Sequence, residues 1–162
     1  MAFEIERKFL IGYPDLNILE HYPKSDMAQT YLKTNDGMTS RVRKRTTGGV
    51  TKYIFTEKKR VTDVTCIENE RELSAEEYEE LLKLADPERQ TVYKTRYCVP
   101  YGGRVVEVDV YPFWSDRAIS EVEMESEEEA VSLPDFIRVI RDVTAEKQYK
   151  NAAIAKKIPD DC

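Results

Sequence analysis

Glu4-Ile5-Glu6-Arg7-Lys8-Phe9-Leu10, close to the N-terminus, carries two carboxylates and one ammonium at intervals of two residues. Successive side chains of a β-strand point to opposite faces, so a strand here would place Glu4, Glu6 and Lys8 on the same face. The alternation of charged with apolar residues recurs along the chain. The segment therefore predicts a sheet with one apolar face and one face that handles ions.

Later segments with the character of strands repeat this alternation. In most of them the charges fall at every second position and share one face. In chain order these charges are Arg41 and Arg43, Lys58, Glu68, Glu70 and Glu72, Lys94 and Arg96, Glu107 and Asp109, and Glu121 and Glu123.

Turn and capping signals divide the chain into about eight strands and two or three helices. Asn35-Asp36-Gly37, Gly48-Gly49 and Gly102-Gly103 predict hairpin turns. Ser74 followed by Glu77 is a capping box, which predicts the start of a helix. The predicted strands cover about 2–10, 27–34, 38–45, 51–59, 66–73, 92–100, 104–111 and 119–125, and the predicted helices 15–20, 75–84 and 145–156.

Composition predicts one folded domain over residues 1–162. The chain is 41% hydrophobic and 35% charged, with a net charge of -6. That negative charge argues against binding to nucleic acid or to a membrane surface. No apolar run is long enough to span a membrane, no signal-peptide pattern is present, and three scattered cysteines show no metal-binding spacing. We therefore expect a cytoplasmic protein.

Two architectures fit strands that alternate in this way. In a sandwich the apolar faces would form the core and the charged faces would meet water. In a closed barrel the charges would point inward and the apolar faces outward, under helices or a partner.

The distribution of charge sign favours the barrel. Surface charges are usually interspersed, whereas here each sign gathers on particular strands. Like charges about 4 Å apart repel by roughly 4 kcal/mol at an effective dielectric near 20, so each group needs counter-ions. A channel offering both groups would suit a metal-bound phosphate chain. The acids of the first and last strands are Glu4, Glu6, Asp109, Glu121 and Glu123, and the bases of the middle and sixth strands are Arg41, Arg43, Lys58, Lys94 and Arg96.

With these motifs in order, the chain resembles the CYTH superfamily, also called triphosphate tunnel metalloenzymes, over nearly its whole length. The resemblance implies a mainly β, α+β fold: an eight-stranded antiparallel closed barrel that forms a tunnel, with a few surrounding helices. The motifs that carry it are Glu4-x-Glu6-x-Lys8, Gln29-x-Tyr31-Leu32, Arg41-x-Arg43, Thr56-x-Lys58, Glu70-Arg71-Glu72, Lys94-Thr95-Arg96-Tyr97, Glu107-x-Asp109, Glu121-x-Glu123 and Tyr149-x-Asn151.

The resemblance also implies roles for particular residues. Mg²⁺ or Mn²⁺ would be the cofactor, which agrees with a donor set of carboxylates rather than His or Cys. Glu6, Lys8, Lys58 and Glu123 would be catalytic. The implied metal ligands are Glu4, Glu6, Asp109, Glu121 and Glu123, and the implied phosphate-binding residues are Lys8, Arg41, Arg43, Lys58, Lys94 and Arg96.

Short bacterial members with this pattern resemble inorganic triphosphatases, so the expected reaction is hydrolysis of tripolyphosphate to pyrophosphate and phosphate. A nucleoside or thiamine triphosphatase and a class IV-type adenylate cyclase are the alternative enzymes, although the cyclase pattern near the second strand is missing. A silent polyphosphate-binding module is a third interpretation.

Several roles stay open at this point. Glu68, Glu70 and Glu72 could add to the metal site or pair with the arginine strand, and Tyr31 and Tyr149 could pack or donate hydroxyls to phosphate. Arg45 and Arg60 share the inward parity, but we expect them beyond the tunnel mouth. A stripe of Val106, Val108 and Val110 suggests an outer surface for a homodimer.

Overall fold

The computed structural model describes residues 2–34 and 37–159. Its strands are β1 (Ala2–Gly12), β2 (Lys24–Tyr31), β3 (Met38–Thr47), β4 (Val50–Arg60), β5 (Thr65–Leu73), β6 (Val92–Tyr101), β7 (Arg104–Val110), β8 (Arg117–Glu123) and β9 (Val139–Asp142). Its helices are α1 (Leu16–Leu19), α2 (Ala75–Leu82), α3 (Asn151–Ile154) and a 3-10 helix, Lys147–Tyr149.

The first eight strands close into the antiparallel barrel that the sequence predicted. Around the ring they run β1, β5, β4, β3, β2, β6, β7 and β8, and β8 returns to β1. Strand β1 closes the ring because residues 2–5 pair with β5 and residues 6–12 pair with β8. The predicted barrel, with its few helices, is therefore confirmed.

The outer face of the barrel is apolar and is covered by parts of the same chain. Leu19 of α1 and Ile137 pack over Val106, Val108 and Val122 on one side. Helix α2 covers the side formed by β3, β4 and β5. Its N-terminus is closed by the predicted capping box, in which the side chains of the cap residue and of the third helical residue each bond the other's backbone.

This cover removes the predicted dimer surface. Val106 and Val108 are 1% and 0% exposed within the single chain, so that part of the stripe is not available to a partner. The apolar positions were read correctly as outward, but the chain itself supplies their cover. A homodimer is still a prediction, but the valine stripe no longer supports it.

The inward face is polar at one end and apolar at the other. Leu10, Val92 and Ile119 have the same parity as the inward charges, and they pack with Tyr149 and Ile154 from the C-terminal segment. The polar cavity is therefore closed at this end by a hydrophobic cluster.

The C-terminal segment differs from the predicted helix over 145–156. A 3-10 helix ends at Tyr149, Lys150 is extended (φ -74°, ψ 141°), and α3 then begins. Tyr149 and Ile154 are both buried in the closing cluster, so packing overrides a continuous helix here.

Two further differences concern short segments. Strand β9 was not predicted, because its four mostly exposed residues show no alternation of charge; it pairs with residues 9–11 of β1. The predicted turn at Asn35-Asp36-Gly37 falls partly outside the described residues. No helix of the described ranges is long and apolar enough to cross a membrane.

Candidate active site

The barrel encloses a cavity of about 680 Å³ that is lined mainly by charged side chains. All the predicted site residues line it except Lys94 and Asp109. Pairing between neighbouring strands explains this convergence, because residues directly opposite in a ladder share a face. Glu6 lies opposite Glu123, and Lys8 lies opposite Glu121.

Carboxylates form one wall of this cavity. Glu6 of β1 and Glu123 of β8 face each other, and on the next pair of strands Glu107 of β7 lies opposite Glu121 of β8. The acidic residues therefore extend over three neighbouring strands. Burial, together with the charges of Glu121 and Glu4, raises the pKa of Glu6 from 4.5 to about 7. Within the described chain the Glu6 carboxylate forms no hydrogen bond or ion pair. It is therefore a crowded carboxylate that lacks a partner.

Two lysines hold the neighbouring carboxylates. The Lys58 ammonium lies 3.0 Å from Glu4 and 3.5 Å from Glu68. The Lys8 ammonium lies 3.3 Å from Glu121 and also donates to the backbone oxygen of Tyr149 at 3.2 Å. Lys8 and Lys58 thus neutralise part of the charge of the acidic wall.

The chemistry of this donor set fits a hard divalent cation. Glu4, Glu6, Glu121 and Glu123 offer carboxylate oxygens, which Mg²⁺ and Mn²⁺ prefer. Within residues 2–34 and 37–159, however, no three His, Cys, Asp or Glu side chains are already arranged to hold a metal. For Glu4 and Glu121 to join such a site, their carboxylates would turn away from Lys58 and Lys8.

Two arginines of β3, Arg41 and Arg43, form the opposite wall and have no acidic partner in the part of the chain that the structure describes. The nitrogen Nε of Arg41 is buried without a hydrogen bond among the described residues. Arg43 is anchored by the amide oxygen of Gln29, which accepts from its Nε at 2.9 Å and, at a shorter distance, from its Nη2. Burial, followed by repulsion from Arg41, lowers the pKa of Arg43 to about 9. Since these two buried cations have no counter-ion among the described residues, their electrostatics favour an anion at this wall.

Asp109 does not line the cavity and lies in a buried network of ion pairs. Its oxygens accept from the Lys94 ammonium at 2.7 Å and from Nε and Nη2 of Arg96 at 2.8 and 2.9 Å. Burial opposes ionisation, but Arg96 and Lys94 outweigh it and lower the pKa of Asp109 to about 2. The Asp109 carboxylate is already committed to two cations, and its side chain is 1% exposed. In this arrangement it orients Arg96 and does not face the cavity.

Replacing Asp109 by Asn tests this placement. The variant would leave Lys94 and Arg96 buried without their main counter-ion, and we expect it to lose about 3–5 kcal/mol of unfolding free energy. Urea denaturation of the metal-free protein measures the change. Asp116→Asn is the control, because the Asp116 carboxylate in its pair with Arg117 is exposed to solvent, so its loss should change the unfolding free energy far less. Equal stability of Asp109→Asn and the native protein would contradict the network.

The cavity also contains cations that sequence reasoning missed. Arg45 and Arg60 line it, although we expected them beyond its mouth. Their parity was the signal that could have placed them. Arg89, from the loop after α2, and the lysines of the C-terminal segment have no such signal, because tertiary packing alone brings them to the barrel. Those lysines are Lys147, Lys150 and Lys156.

The five residues whose roles the sequence left open also have defined positions. Glu68 and Glu70 line the cavity, Glu68 beside Lys58 and Glu70 within 3.3 Å of the Thr56 hydroxyl. Glu72 is absent from the lining and lies 3.8 Å from Lys52 in an exposed pair. Tyr31 lines the cavity and also packs in the closing cluster, to which Tyr149 belongs.

Comparisons with known proteins agree with this geometry. A family model described as the CYTH domain matches residues 2–157. The inorganic triphosphatase of Nitrosomonas europaea is 34% identical over 168 residues, which cover 96% of this chain and 99% of that protein.

Solved structures give the same result for the fold. One described as the inorganic triphosphatase NE1496 has a TM-score of 0.60 at 33% identity, covering 98% of each chain. A conserved hypothetical protein from Pyrococcus furiosus has a TM-score of 0.57 at 21% identity, covering 77% of this chain and 80% of its own. The second likeness concerns the fold alone.

Proposed function

Because this chain belongs to the CYTH domain family, we propose that it is a divalent-metal-dependent triphosphatase that hydrolyses inorganic tripolyphosphate to pyrophosphate and phosphate. One observation carries the proposal: in a single cavity, a wall of crowded carboxylates faces two buried arginines that have no acidic partner within residues 2–34 and 37–159. This combination of unbalanced charges matches a polyanion that arrives with a metal ion. The activity named for the relative from Nitrosomonas europaea supports the same reaction.

The chain's own residues would divide the work by charge. Arg41 and Arg43 bind and orient the phosphate oxygens, since a guanidinium presents several donors in a fixed plane. Arg96, fixed by Asp109, lines the cavity between the two walls. Lys8 and Lys58 are within reach of the acidic wall and would stabilise negative charge on the substrate as their carboxylates turn away.

The metal would be held by Glu4, Glu6, Glu121 and Glu123, with Mg²⁺ or Mn²⁺ as the proposed ion. When bound, a divalent cation would neutralise phosphate charge and lower the pKa of an attacking water. Phosphoryl transfer then requires positioning and charge stabilisation but no covalent step on the protein. Asp109, a predicted ligand, would contribute indirectly through Lys94 and Arg96.

A substrate comparison tests the reaction. Purified protein with Mg²⁺ or Mn²⁺ would receive tripolyphosphate, ATP and thiamine triphosphate, while phosphate, pyrophosphate and cyclic AMP are measured. We expect the highest kcat/KM for tripolyphosphate, with equal amounts of pyrophosphate and phosphate and no turnover in EDTA. Cyclic AMP from ATP would replace the proposal with a cyclase, and binding without turnover would replace it with a polyphosphate-binding module.

Other parts of the proposal are predictions that follow from the sequence. They are a single domain over residues 1–162, a cytoplasmic location, and a small polyanionic substrate rather than nucleic acid or a membrane as partner.

A further inference from the structure

Gln29 lies fully buried on the inward face of β2, directly opposite Arg43 on β3. Its amide oxygen accepts both hydrogen bonds that anchor the Arg43 guanidinium. Since a guanidinium has donors only, the amide must present its oxygen to Arg43 and its nitrogen elsewhere. That nitrogen donates to the Tyr31 hydroxyl at 3.3 Å. The orientation of Gln29 is therefore fixed from both ends.

The cavity has a second anchored arginine for comparison. Arg96 is held by the Asp109 carboxylate through Nε and Nη2, and Glu107 lies 3.0 Å from its third nitrogen. Both anchors accept from Nε and Nη2 of their arginine, Gln29 through one oxygen and Asp109 through two, but their effects on the charge of the arginine differ. A carboxylate compensates the charge of Arg96, whereas the amide of Gln29 holds Arg43 and leaves its charge uncompensated.

We propose that Gln29 is a positioning residue that fixes Arg43 for the substrate while leaving its positive charge available to phosphate. The proposal rests on the function proposed above, because it needs a polyanion in the cavity. Arg41, buried nearby with an unbonded nitrogen, adds to the same uncompensated charge. The lowered pKa of Arg43 agrees with this arrangement, since burial and Arg41 both act against its charge.

The test replaces Gln29 by Glu, which keeps the shape, adds a negative charge and replaces the amide donor to the Tyr31 hydroxyl by an acceptor. Ala28→Glu is the matched control, because it adds the same charge to the next residue of β2, which faces outward opposite exposed Lys44. Gln29→Met keeps the volume but removes the anchor, and it gives a second measurement if the first variant does not fold. Isothermal titration with tripolyphosphate, in EDTA and again with Ca²⁺, measures affinity, and thermal unfolding without phosphate measures stability.

We expect Gln29→Glu to bind tripolyphosphate about tenfold to a hundredfold more weakly, the value of a lost hydrogen bond to a charged group. Its melting temperature without phosphate should equal or exceed that of the native protein, because the new carboxylate pairs with Arg43. The affinity of Gln29→Met for tripolyphosphate should lie between that of the native protein and that of Gln29→Glu. Ala28→Glu should bind tripolyphosphate with native affinity. A residue with a merely structural role would lose affinity only in proportion to lost stability.

The outcomes separate this inference from the proposed function. Native binding by Gln29→Glu or by Gln29→Met, while the native protein binds tightly, overturns the role of Gln29 alone. Failure of the native protein to bind tripolyphosphate under both conditions overturns the proposed function and this inference with it.

Discussion

Glu6→Gln is expected to lower triphosphate turnover by about a thousandfold or more, since a bound metal supplies several kcal/mol of charge stabilisation in the transition state. Among the described residues, Glu6 is the inward carboxylate of β1 that has no lysine partner, so we propose that it is more available to a cation than Glu4. Glu123→Gln, directly opposite on β8, should act in the same direction. The change removes charge from the acidic wall but not volume.

The folded state should not suffer from the change at Glu6. The pKa of Glu6 is raised on folding from 4.5 to about 7, so the folded protein binds this proton more strongly than the unfolded chain does. The contribution of Glu6 to stability is therefore favourable at low pH and is lost as the pH rises towards 7. At pH 8 the metal-free variant should be at least as stable as the native protein.

Turnover at limiting and at saturating Mn²⁺ measures the effect. Glu57→Gln on β4 is the matched control, because its parity places it on the outer face. We expect near-native rates for the control. Excess Mn²⁺ should not restore the turnover of Glu6→Gln to the native rate. Near-native turnover of Glu6→Gln at limiting metal would show that the metal is held elsewhere.

Arg41→Gln is expected to raise KM for tripolyphosphate by about tenfold to a hundredfold, the value of charge-assisted hydrogen bonds to one phosphate. Arg41 is 9% exposed and has no acidic partner among the residues described, so nothing in the free protein competes for its charge. The free energy of unfolding of Arg41→Gln should equal or exceed that of the native protein, because the change removes a buried charge that repels Arg43.

Initial rates over a range of tripolyphosphate concentrations separate KM from kcat for this variant. Lys44→Gln removes the same charge from the outer face of β3 and should leave both parameters unchanged. If Arg41→Gln keeps the native KM, or if Lys44→Gln matches its loss, the arginine wall is not where phosphate binds.

The closed barrel could be predicted because its charges follow the period of a strand and separate by sign. Alternation in Glu4–Leu10 assigned the inward face of β1, and the same parity assigned Arg41 and Arg43 on β3. What alternation could not give was the cover of the outer face. The valines of β7 read equally well as a dimer surface, and only the fold shows Leu19 and Ile137 packed over them.

The sequence was enough to predict most of the residues that line the site, but not the contacts between them. Parity identifies Asp109 as inward, yet its commitment to Lys94 and Arg96 depends on distances between neighbouring strands. The positions of the lysines in the C-terminal segment depend on where Tyr149 packs. No local sequence pattern predicts that packing. Gln29 appeared in the sequence only as part of a motif, because the meaning of a buried amide depends on the group it bonds.

A crystal structure with tripolyphosphate and Mn²⁺, analysed by anomalous scattering, tests most directly whether both walls of the cavity act on one ligand. Manganese should appear against the carboxylates of Glu6 and Glu123, with phosphate oxygens in contact with Arg41 and Arg43. Manganese and tripolyphosphate bound only on the outer surface, with the cavity filled by water, would contradict this.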